Sequence, residues 1–339
     1  MTTPRQLRVV AIGGGTGLST LLRGLKTFVP TSVGASTLVD PALQHLPALI
    51  RELSAIVTVT DDGGSSGRLR EDLQMLPPGD IRNCLVALSQ DEALLSRLFQ
   101  YRFSHGDLDG HSFGNLFLAA LTEIGGDFAQ AVQAGSQILA TRGRIYPSTT
   151  ANARLSARML DGSLVQGETS ITASRQTIAE LMLSPADAPP LPGTLDAIAA
   201  ADLITLGPGS LYTSLITNLL VRGIPEALAA SQATRVYICN LMTQANESLG
   251  LTAAQHIEKI LDHARSQIFD YALINTALIR PATLEQYARE GQSPIVADLD
   301  RIRALGVEPI TGNFVHEGDV LRHNYDVLAE TVLNLALRR

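Results

Sequence analysis

Short runs of apolar residues alternate along this chain with longer stretches in which apolar residues recur every three or four positions. An uninterrupted short apolar run is typical of a buried strand, whereas the longer spacing is typical of an amphipathic helix. Because strands and helices alternate, the pattern predicts an α/β fold with a doubly wound, mainly parallel sheet. The predicted strands cover residues 7–12, 55–60, 203–206, 236–240, 271–275 and 307–310.

The middle of the chain is richer in helical patterns than in strand patterns, which predicts an α-rich cap. Asp80 is the expected N-cap of the first cap helix, because a carboxylate accepts hydrogen bonds from the free N–H groups of a first turn. Asp161-Gly162 then separates two β-prone segments and predicts a small antiparallel hairpin with a type I′ turn. The predicted elements of this cap and hairpin region, at about residues 80–170, are helices over 81–89, 92–99, 113–124 and 128–140 and strands over 154–160 and 164–168.

Residues 31–53 interrupt the first strand–helix unit. We interpret this segment as an insertion at the sheet edge, because its glycine and prolines disfavour regular structure until a short helical pattern near its end. Outside this insertion the chain has no internal repeat and no low-complexity linker, so the sequence predicts a single domain over residues 1–339. The residues that predict the short helix are Leu46, Leu49, Ile50 and Leu53.

A glycine-rich loop follows the first predicted strand and precedes a helical pattern that ends near Lys26. This order is that of the anion-binding unit in a Rossmann-like fold, where backbone N–H groups and the helix dipole receive phosphate. Leu18 occupies the position of the last glycine in the dinucleotide fingerprint, so the loop departs from the usual NAD-binding pattern. A tight turn without a ligand is the alternative interpretation. The candidate phosphate-binding residues of the loop are Gly13, Gly14, Gly15, Thr16 and Gly17.

The second predicted strand ends in two carboxylates, flexible glycines and arginines. Ligands of α/β sheets bind beyond the carboxyl ends of the strands. Glycines allow backbone N–H groups to approach an anion, and arginine binds phosphate through two hydrogen bonds. The alternative interpretation is a solvated, charged loop. The segment predicts a phosphate-binding edge formed by Asp61, Asp62, Gly63, Gly64, Ser65 and Arg68.

Three later segments add candidate ligand-binding side chains. A strand–glycine–helix junction after residue 206 has glycines for a tight turn and hydroxyls that suit an anion. A strand that ends near residue 240 is followed by amides and a hydroxyl that suit a base or sugar edge. A loop before the helix at 113–124 either faces a polar ligand or is a capped surface turn. These segments contribute His111, Asn115, Gly207, Gly209, Ser210, Thr213, Asn240 and Thr243.

Composition narrows the functional classes. The formal net charge is −7 and the basic residues form no run, which argues against nucleic-acid binding. The two cysteines, Cys84 and Cys239, lie among apolar residues and are expected to be buried thiols. No apolar stretch approaches the ~20 residues of a membrane span. No leader pattern begins the chain, so we expect a cytoplasmic protein.

The sequence does not establish a metal site. Four residues of one loop alternate as metal ligands often do, but nothing indicates a ligand from another part of the chain. These residues are His105, Asp107, Asp109 and His111.

Seven motifs in fixed order carry a family resemblance. They are AIGGGTGLSTLLRGLK (11–26), TDDGGSSGRLR (60–70), PPGDIRN (77–83), LFQYRF (98–103), GHSFGNL (110–116), GPGSLYTS (207–214) and CNLMTQ (239–244). The chain resembles the bacterial gluconeogenesis factor family (YvcK-like), within the CofD-like superfamily of 2-phospho-L-lactate transferases. The similarity spans nearly the whole chain. It implies a Rossmann-like CofD-like domain that binds a nucleotide-linked ligand, and it adds Asn83 to the candidate ligand-binding residues.

The resemblance implies a UDP-sugar-binding protein, with UDP-N-acetylglucosamine or UDP-glucose as ligand and no established catalysis. Such a protein regulates cell shape and cell-wall synthesis on gluconeogenic carbon sources. Its partners would be this small molecule and, as open candidates, cell-wall synthesis proteins and a second copy of the chain in a homo-oligomer.

Two enzymatic alternatives remain. A CofD-like transferase would move a phospholactyl-type group from a nucleotide-activated donor, with Mg²⁺ held by Asp61 or Asp62 and a pyrophosphate neutralised by Arg68. Aromatic residues make up 4% of the chain and there is no Trp, which disfavours a flat aromatic acceptor. An NAD dehydrogenase fits less well because Leu18 breaks the dinucleotide fingerprint.

Overall fold

The computed structural model describes residues 4–30, 32–33, 36–37, 48–90, 92–174, 176–245 and 247–338. Its strands in chain order are β1 (Arg5–Gly13), β2 (Ser32–Val33), β3 (Ser36–Thr37), β4 (Ala48–Val57), β5 (Arg144–Pro147), β6 (Arg154–Met159), β7 (Leu164–Gln166), β8 (Ile178–Ser184), β9 (Leu203–Leu206), β10 (Thr234–Ile238), β11 (Tyr271–Asn275), β12 (Glu308–Gly312), β13 (Val315–Glu317) and β14 (Leu321–His323). Its α-helices are α1 (Gly15–Lys26), α2 (Gly64–Asp72), α3 (Gly79–Leu88), α4 (Glu92–Gln100), α5 (Phe113–Gly125), α6 (Phe128–Ile138), α7 (Glu168–Ala173), α8 (Thr194–Ala200), α9 (Thr217–Leu219), α10 (Ile224–Ala230), α11 (Ala253–Ala264), α12 (Pro281–Ala288), α13 (Leu299–Ala304) and α14 (Tyr325–Ala336). A π-helical segment, Leu211–Ile216, precedes α9.

Seven of the described strands form one parallel sheet in the order β12-β11-β10-β9-β1-β4-β5. The chain builds the sheet outward from β1 through β4 to β5, then returns to the other side of β1 and continues from β9 to β12. Strand order therefore reverses between β1 and β9, and such a switch point leaves a crevice beyond the strand ends. The predicted α/β fold with a doubly wound, mainly parallel sheet is confirmed.

The central strand β1 is buried on both faces, which explains why its sequence is an apolar run. Val9 and Ala11 belong to one apolar cluster, which also contains residues of α1, α3 and α14. Val10 and Ile12 belong to a second cluster with residues of Leu211–Ile216 and α11. Helical layers on both faces therefore hold β1 in place, and the glycines that follow it lie at a rigid edge of the sheet.

The short helix predicted near the end of the 31–53 insertion is wrong. Leu49, Ile50 and Leu53 lie in β4, which starts at Ala48 and pairs with β1 in parallel register. Backbone pairing with the central strand decides the structure here, although the apolar spacing also fits a helix. Leu46, like most of the insertion, lies outside the described residues.

The predicted N-cap role of Asp80 is also wrong. α3 begins at Gly79 with Pro78 as its N-cap residue, so Asp80 lies inside the first turn. The helix starts earlier than expected because proline and glycine are both tolerated at a helix start. The carboxylate of Asp80 is thereby free to contact another element.

The small antiparallel sheet follows the cap helices. The predicted hairpin is confirmed by the pairing of β6 with β7, and β8, which the sequence did not predict, pairs with the other edge of β6. The type I′ turn is wrong, because Gly162 has positive φ but Asp161 does not. The Asp161 carboxylate instead accepts the N–H of Ser163 (2.9 Å), which stabilises a longer loop. Across the described residues, no helix is long and apolar enough to cross a membrane.

Candidate functional site

A cavity of about 510 Å³ lies beyond the C-terminal ends of β1, β9 and β10, at the switch point of the sheet. We call it the main cavity. The loops that follow these three strands form its inner wall, and α12 with the β13–β14 hairpin forms its outer wall. A ligand site at this position is what a doubly wound sheet favours.

The first glycine loop leads into the start of α1, a position that suits an anion. Gly14 is the extended N-cap residue of α1, and no side chain in the described part of the chain caps this helix. Gly15 has φ of +62°, a region in which a Cβ is strained, and there the chain turns from strand to helix. A Cβ on Gly17 would collide with the Pro208 carbonyl. Glycine at this position therefore lets the start of α1 approach the loop at residues 207–209, which we call the second glycine loop. The N–H groups of Thr16 and Gly17 remain for an anion.

Asp80 reaches the same helix start from α3. Its carboxylate accepts a hydrogen bond from the Gly15 N–H, and a Cβ on Gly14 would lie 2.7 Å from its Oδ2 atom. Burial, and then the charge of Asp61, raise the pKa of Asp80 to about 6, against the opposing effects of this hydrogen bond and of Arg82. Asp80 therefore changes its charge near neutral pH, directly beside the helix start that suits an anion.

The second glycine loop leads into Leu211–Ile216, where a carboxylate of the protein already occupies the helix start. Glu247 accepts hydrogen bonds from the Tyr212 N–H (3.3 Å) and from Thr213 Oγ1 (2.8 Å). The Thr213 N–H also donates to it. Burial raises the pKa of Glu247, and its hydrogen bonds oppose that rise. These N–H groups are therefore bound within the protein, unlike those of Thr16 and Gly17.

Side-chain amides join the loops that follow β9 and β10. The Gly209 N–H donates to Asn240 Oδ1 at 3.3 Å, and Asn240 Nδ2 donates to Gln244 Oε1 at 3.1 Å. Gln244 Nε2 then donates to Ser210 Oγ at 2.9 Å. All four residues line the main cavity, which gives this side of the cavity a continuous polar surface.

The outer wall brings different chemistry to the main cavity. Tyr287 offers an aromatic ring and Arg322 a guanidinium. The wall packs on a small apolar cluster around Met242, which is separate from the two main core clusters. Burial lowers the pKa of His323 to about 4, and its Nε2 atom lies 3.1 Å from the Cys239 carbonyl oxygen. His323 is therefore neutral at physiological pH and serves to hold the hairpin in place.

A second cavity, of about 350 Å³, adjoins the main cavity and shares Glu168 with it. Asp61 lines this smaller cavity. The Thr60 hydroxyl donates to Glu168 Oε2 at 3.1 Å. Burial, and then the charges of Asp61 and Asp80, raise the pKa of Glu168 well above its ordinary value. The junction of the two cavities is therefore rich in carboxyl oxygens.

Asp62 is directed to the start of α7. Its carboxylate accepts hydrogen bonds from the Thr169 N–H (2.8 Å) and hydroxyl (2.6 Å). Over the ranges that the structure describes, no group of three or more His, Cys, Asp or Glu side chains has an arrangement that could hold a metal ion.

Ser65, His111 and Asn115 form a buried network beside the main cavity. Ser65 Oγ lies 3.0 Å from His111 Nδ1 and accepts a hydrogen bond from Asn115 Nδ2 at 3.1 Å. Arg82 donates to Asn115 Oδ1 (3.1 Å) and to Asn83 Oδ1 (2.9 Å). These bonds join the first turns of α2, α3 and α5, and so they position the Asp61 loop.

The structure brings many of the predicted site residues together. Those that line the main cavity are Gly14, Gly15, Thr16, Gly17, Gly209, Ser210, Thr213, Asn240 and Thr243. Asp61 lines the smaller cavity. The remaining candidates line neither cavity and are Gly13, Asp62, Gly63, Gly64, Ser65, Arg68, Asn83, His111, Asn115 and Gly207.

Sequence reasoning missed several lining residues. Asp80 had a signal, since a single acid follows Pro-Pro-Gly before an apolar helix, but a helix cap explained it equally well. Glu168 and Arg322 are isolated polar residues, and no local pattern distinguishes them. Gln244 belongs to the segment whose amides were predicted to suit a base or sugar edge, although it was not named as a site residue. Only the tertiary fold shows that these residues line one cavity.

The fold and the main cavity together define a Rossmann-like α/β protein with a cavity at the switch point of the sheet. Comparison with known proteins gives the family. The chain belongs to the family described as 2-phospho-L-lactate transferase CofD, which matches residues 9–315. The family resemblance drawn from the seven motifs is thereby confirmed.

Similar proteins carry the name gluconeogenesis factor. That of Halalkalibacterium halodurans is 47% identical, with 97% of this chain and 96% of its own chain covered. That of Bacillus subtilis is 44% identical, with 97% and 98% covered. The crystal structure of a UPF0052 family member from Bacillus halodurans has a TM-score of 0.88 and 46% identity, with 97% of this chain and 99% of that chain covered.

Proposed function

We propose that the protein is a gluconeogenesis factor that binds a nucleotide sugar, UDP-N-acetylglucosamine or UDP-glucose, and regulates cell shape and cell-wall synthesis on gluconeogenic carbon sources. The observation that carries this proposal is the make-up of the main cavity. An uncapped helix start lies between a surface of amides and hydroxyls and a pair of carboxyl groups. A diphosphate suits the uncapped helix start. A base or an acetamide suits the surface of amides and hydroxyls, and the hydroxyls of a sugar suit the carboxyl groups.

The proposed ligand fits the charges of the main cavity. Its diphosphate binds at the N–H groups of Thr16 and Gly17, and Arg322 offsets its charge from the outer wall. The ring of Tyr287 offers a stacking surface to a planar base. Hydroxyl groups of the sugar donate to the carboxyl oxygens of Asp80 and Glu168, which need hydrogen-bond donors in their buried position.

The names of similar proteins support the cellular part of the proposal. Relatives from Halalkalibacterium halodurans and Bacillus subtilis, both named gluconeogenesis factor, align with this chain over almost its whole length. Identity of this extent favours a shared role over a shared fold alone.

A CofD-like transferase is the second candidate. Its support is the family match and the smaller cavity that adjoins the main one at Glu168, because a donor and an acceptor need neighbouring sites. The lining of the smaller cavity consists of Asp61, Thr169, Thr172 and Ala173 beside Glu168, and within the described residues it offers no aromatic ring to a flat acceptor. We therefore rank the transferase below the nucleotide-sugar-binding protein.

A thermal-shift panel tests the proposed function. We expect UDP-N-acetylglucosamine or UDP-glucose to raise the melting temperature more than NAD, GDP or a deazaflavin alcohol does. A ligand at ~100 times its dissociation constant adds about 2.7 kcal/mol to the free energy of unfolding. A larger shift with NAD would contradict the proposal, and a larger shift with GDP together with the deazaflavin alcohol would favour the transferase.

A further inference from the structure

The hydrogen-bond polarity of Ser210 is fixed by the amides beside it. A backbone N–H can only donate, so the Gly209 N–H at 3.3 Å requires the oxygen of the Asn240 amide. The nitrogen of Asn240 then faces Gln244, which must present its oxygen at 3.1 Å. The nitrogen of Gln244 donates to Ser210 Oγ at 2.9 Å. Ser210 lines the main cavity, and its own proton remains for a ligand that offers an acceptor.

Thr213, one turn further along, has the opposite polarity. Glu247 accepts hydrogen bonds from the Tyr212 N–H (3.3 Å) and from Thr213 Oγ1 (2.8 Å), so both of its carboxyl oxygens act as acceptors. The hydroxyl proton of Thr213 is thus used by Glu247, and only oxygen lone pairs remain for a ligand. A phosphate oxygen is itself an acceptor, so it would be repelled here by these lone pairs.

We propose that Ser210 and Thr213 form a donor–acceptor pair that recognises a C=O group and a neighbouring N–H group of the ligand, with Gln244 and Glu247 as the positioning residues that fix this polarity. The inference rests on the proposed nucleotide-sugar function and deepens it. The ligand chemistry is an imide edge, which the uracil ring carries with a C=O and the N3–H side by side. The acetamide of the sugar holds its C=O and N–H on opposite sides, so it offers only its N–H to Thr213 as the alternative partner.

Thr213→Val tests the acceptor half of the pair. The variant keeps the shape of the side chain but leaves the ligand N–H unpaired, so affinity for UDP-N-acetylglucosamine should fall about tenfold to a hundredfold in titration calorimetry at pH 8. Thr213→Ser keeps the oxygen and should bind within about threefold of the wild type. Thr217→Val is the matched control, because its hydroxyl donates to the Tyr212 carbonyl (2.8 Å) and does not line the main cavity.

Glu247→Gln gives a readout that a purely structural role would not produce. The Tyr212 N–H still requires an oxygen, so the new amide directs its nitrogen to Thr213 and donates to it. The Thr213 hydroxyl then donates to the ligand. If Thr213 binds the uracil imide, the ratio of UDP-sugar to CDP-sugar affinity should fall at least tenfold, because ring nitrogen N3 is a donor in uracil and an acceptor in cytosine.

Two ligand changes identify the group that Thr213 binds. Methylation of uracil N3 should weaken binding to the wild type if the imide is recognised, whereas UDP-glucose should bind more weakly if the acetamide is recognised. If Thr213 binds the acetamide, Glu247→Gln should lower the preference for UDP-N-acetylglucosamine over UDP-glucose. The preference for UDP-sugars over CDP-sugars should then stay unchanged. This inference alone would be overturned if the wild type bound UDP-sugars and both variants, Thr213→Val and Glu247→Gln, kept the wild-type affinity. The variants would also have to keep the preference for UDP-sugars over CDP-sugars and for UDP-N-acetylglucosamine over UDP-glucose. A wild type that binds no UDP-sugar would overturn the proposed function as well.

Discussion

Gly15→Val is expected to abolish nucleotide-sugar binding and to leave the fold intact. A Cβ at this position would lie 3.8 Å from Ser214 Oγ and 4.0 Å from Asp80 Oδ1, so it meets no clash and points into open space of the main cavity. The valine methyl groups would occupy the volume in which a diphosphate meets the first turn of α1. We expect affinity in titration calorimetry to fall more than a hundredfold, or about 2.7 kcal/mol.

Backbone strain is the competing explanation for such a loss. Gly15 has φ of +62°, and a β-branched residue there costs of order 1–3 kcal/mol. Gly64→Val is the matched control, because Gly64 also lies at positive φ (+46°) in a glycine loop that starts a helix. Its Cβ would have no described atom within 4 Å, and Gly64 lines neither cavity. Equal loss of affinity in both folded variants, or retained affinity in Gly15→Val, would place the phosphate elsewhere.

The parallel sheet was predictable where its strands are buried on both faces. β9 and β11 begin and end at their predicted residues, because each is a short and mainly apolar run. β4 was harder to predict, since Arg51 and Glu52 are exposed within it and make its first half look amphipathic. Pairing with β1, which is distant in sequence, decides its conformation, and no local pattern reports that pairing.

The glycine loops of the candidate site were predictable for a local reason. Positive φ at Gly15 requires glycine whatever the rest of the fold does. Gly17 is required by a tertiary contact, since a Cβ there would collide with the Pro208 carbonyl. Residues that act from other elements were not predictable in this way. Asp80 and Glu247 reach the two helix starts from α3 and from the loop after β10, and only the tertiary fold brings these carboxylates there.

Asp80→Asn is expected to strengthen nucleotide-sugar binding at pH 8 and to remove its pH dependence. Asp80 shares the start of α1 with the proposed diphosphate, and its pKa in the free protein is about 6. A bound diphosphate disfavours the carboxylate and therefore raises this pKa further. Affinity of the wild type should then increase as pH falls from the bound-state pKa toward 6, and it should level off below 6 because the free protein is already protonated there.

The size of this effect follows from the rise in pKa. A rise of one unit on binding corresponds to a tenfold gain in affinity, or about 1.4 kcal/mol. Titration calorimetry between pH 8 and pH 5.5 measures it, and the diphosphate diester of a nucleotide sugar does not itself titrate in this range. Asn keeps an oxygen for the Gly15 N–H, so the variant removes the charge without removing the hydrogen bond.

Asp62→Asn is the matched control for Asp80→Asn. The Asp62 carboxylate is bound to Thr169 and does not line the main cavity, so this variant should keep the pH dependence of the wild type.

Removal of Mg²⁺ with a chelator separates the nucleotide-sugar-binding protein from the CofD-like transferase. We expect chelation to change the affinity for the nucleotide sugar little, because both carboxylates already accept hydrogen bonds within the protein. Asp61 Oδ1 accepts the Gly63 N–H at 2.9 Å, and Asp80 accepts the Gly15 N–H. If chelation and Asp80→Asn each weakened binding tenfold or more, a metal would bridge the carboxylates and the diphosphate, and the CofD-like transferase would become the better interpretation.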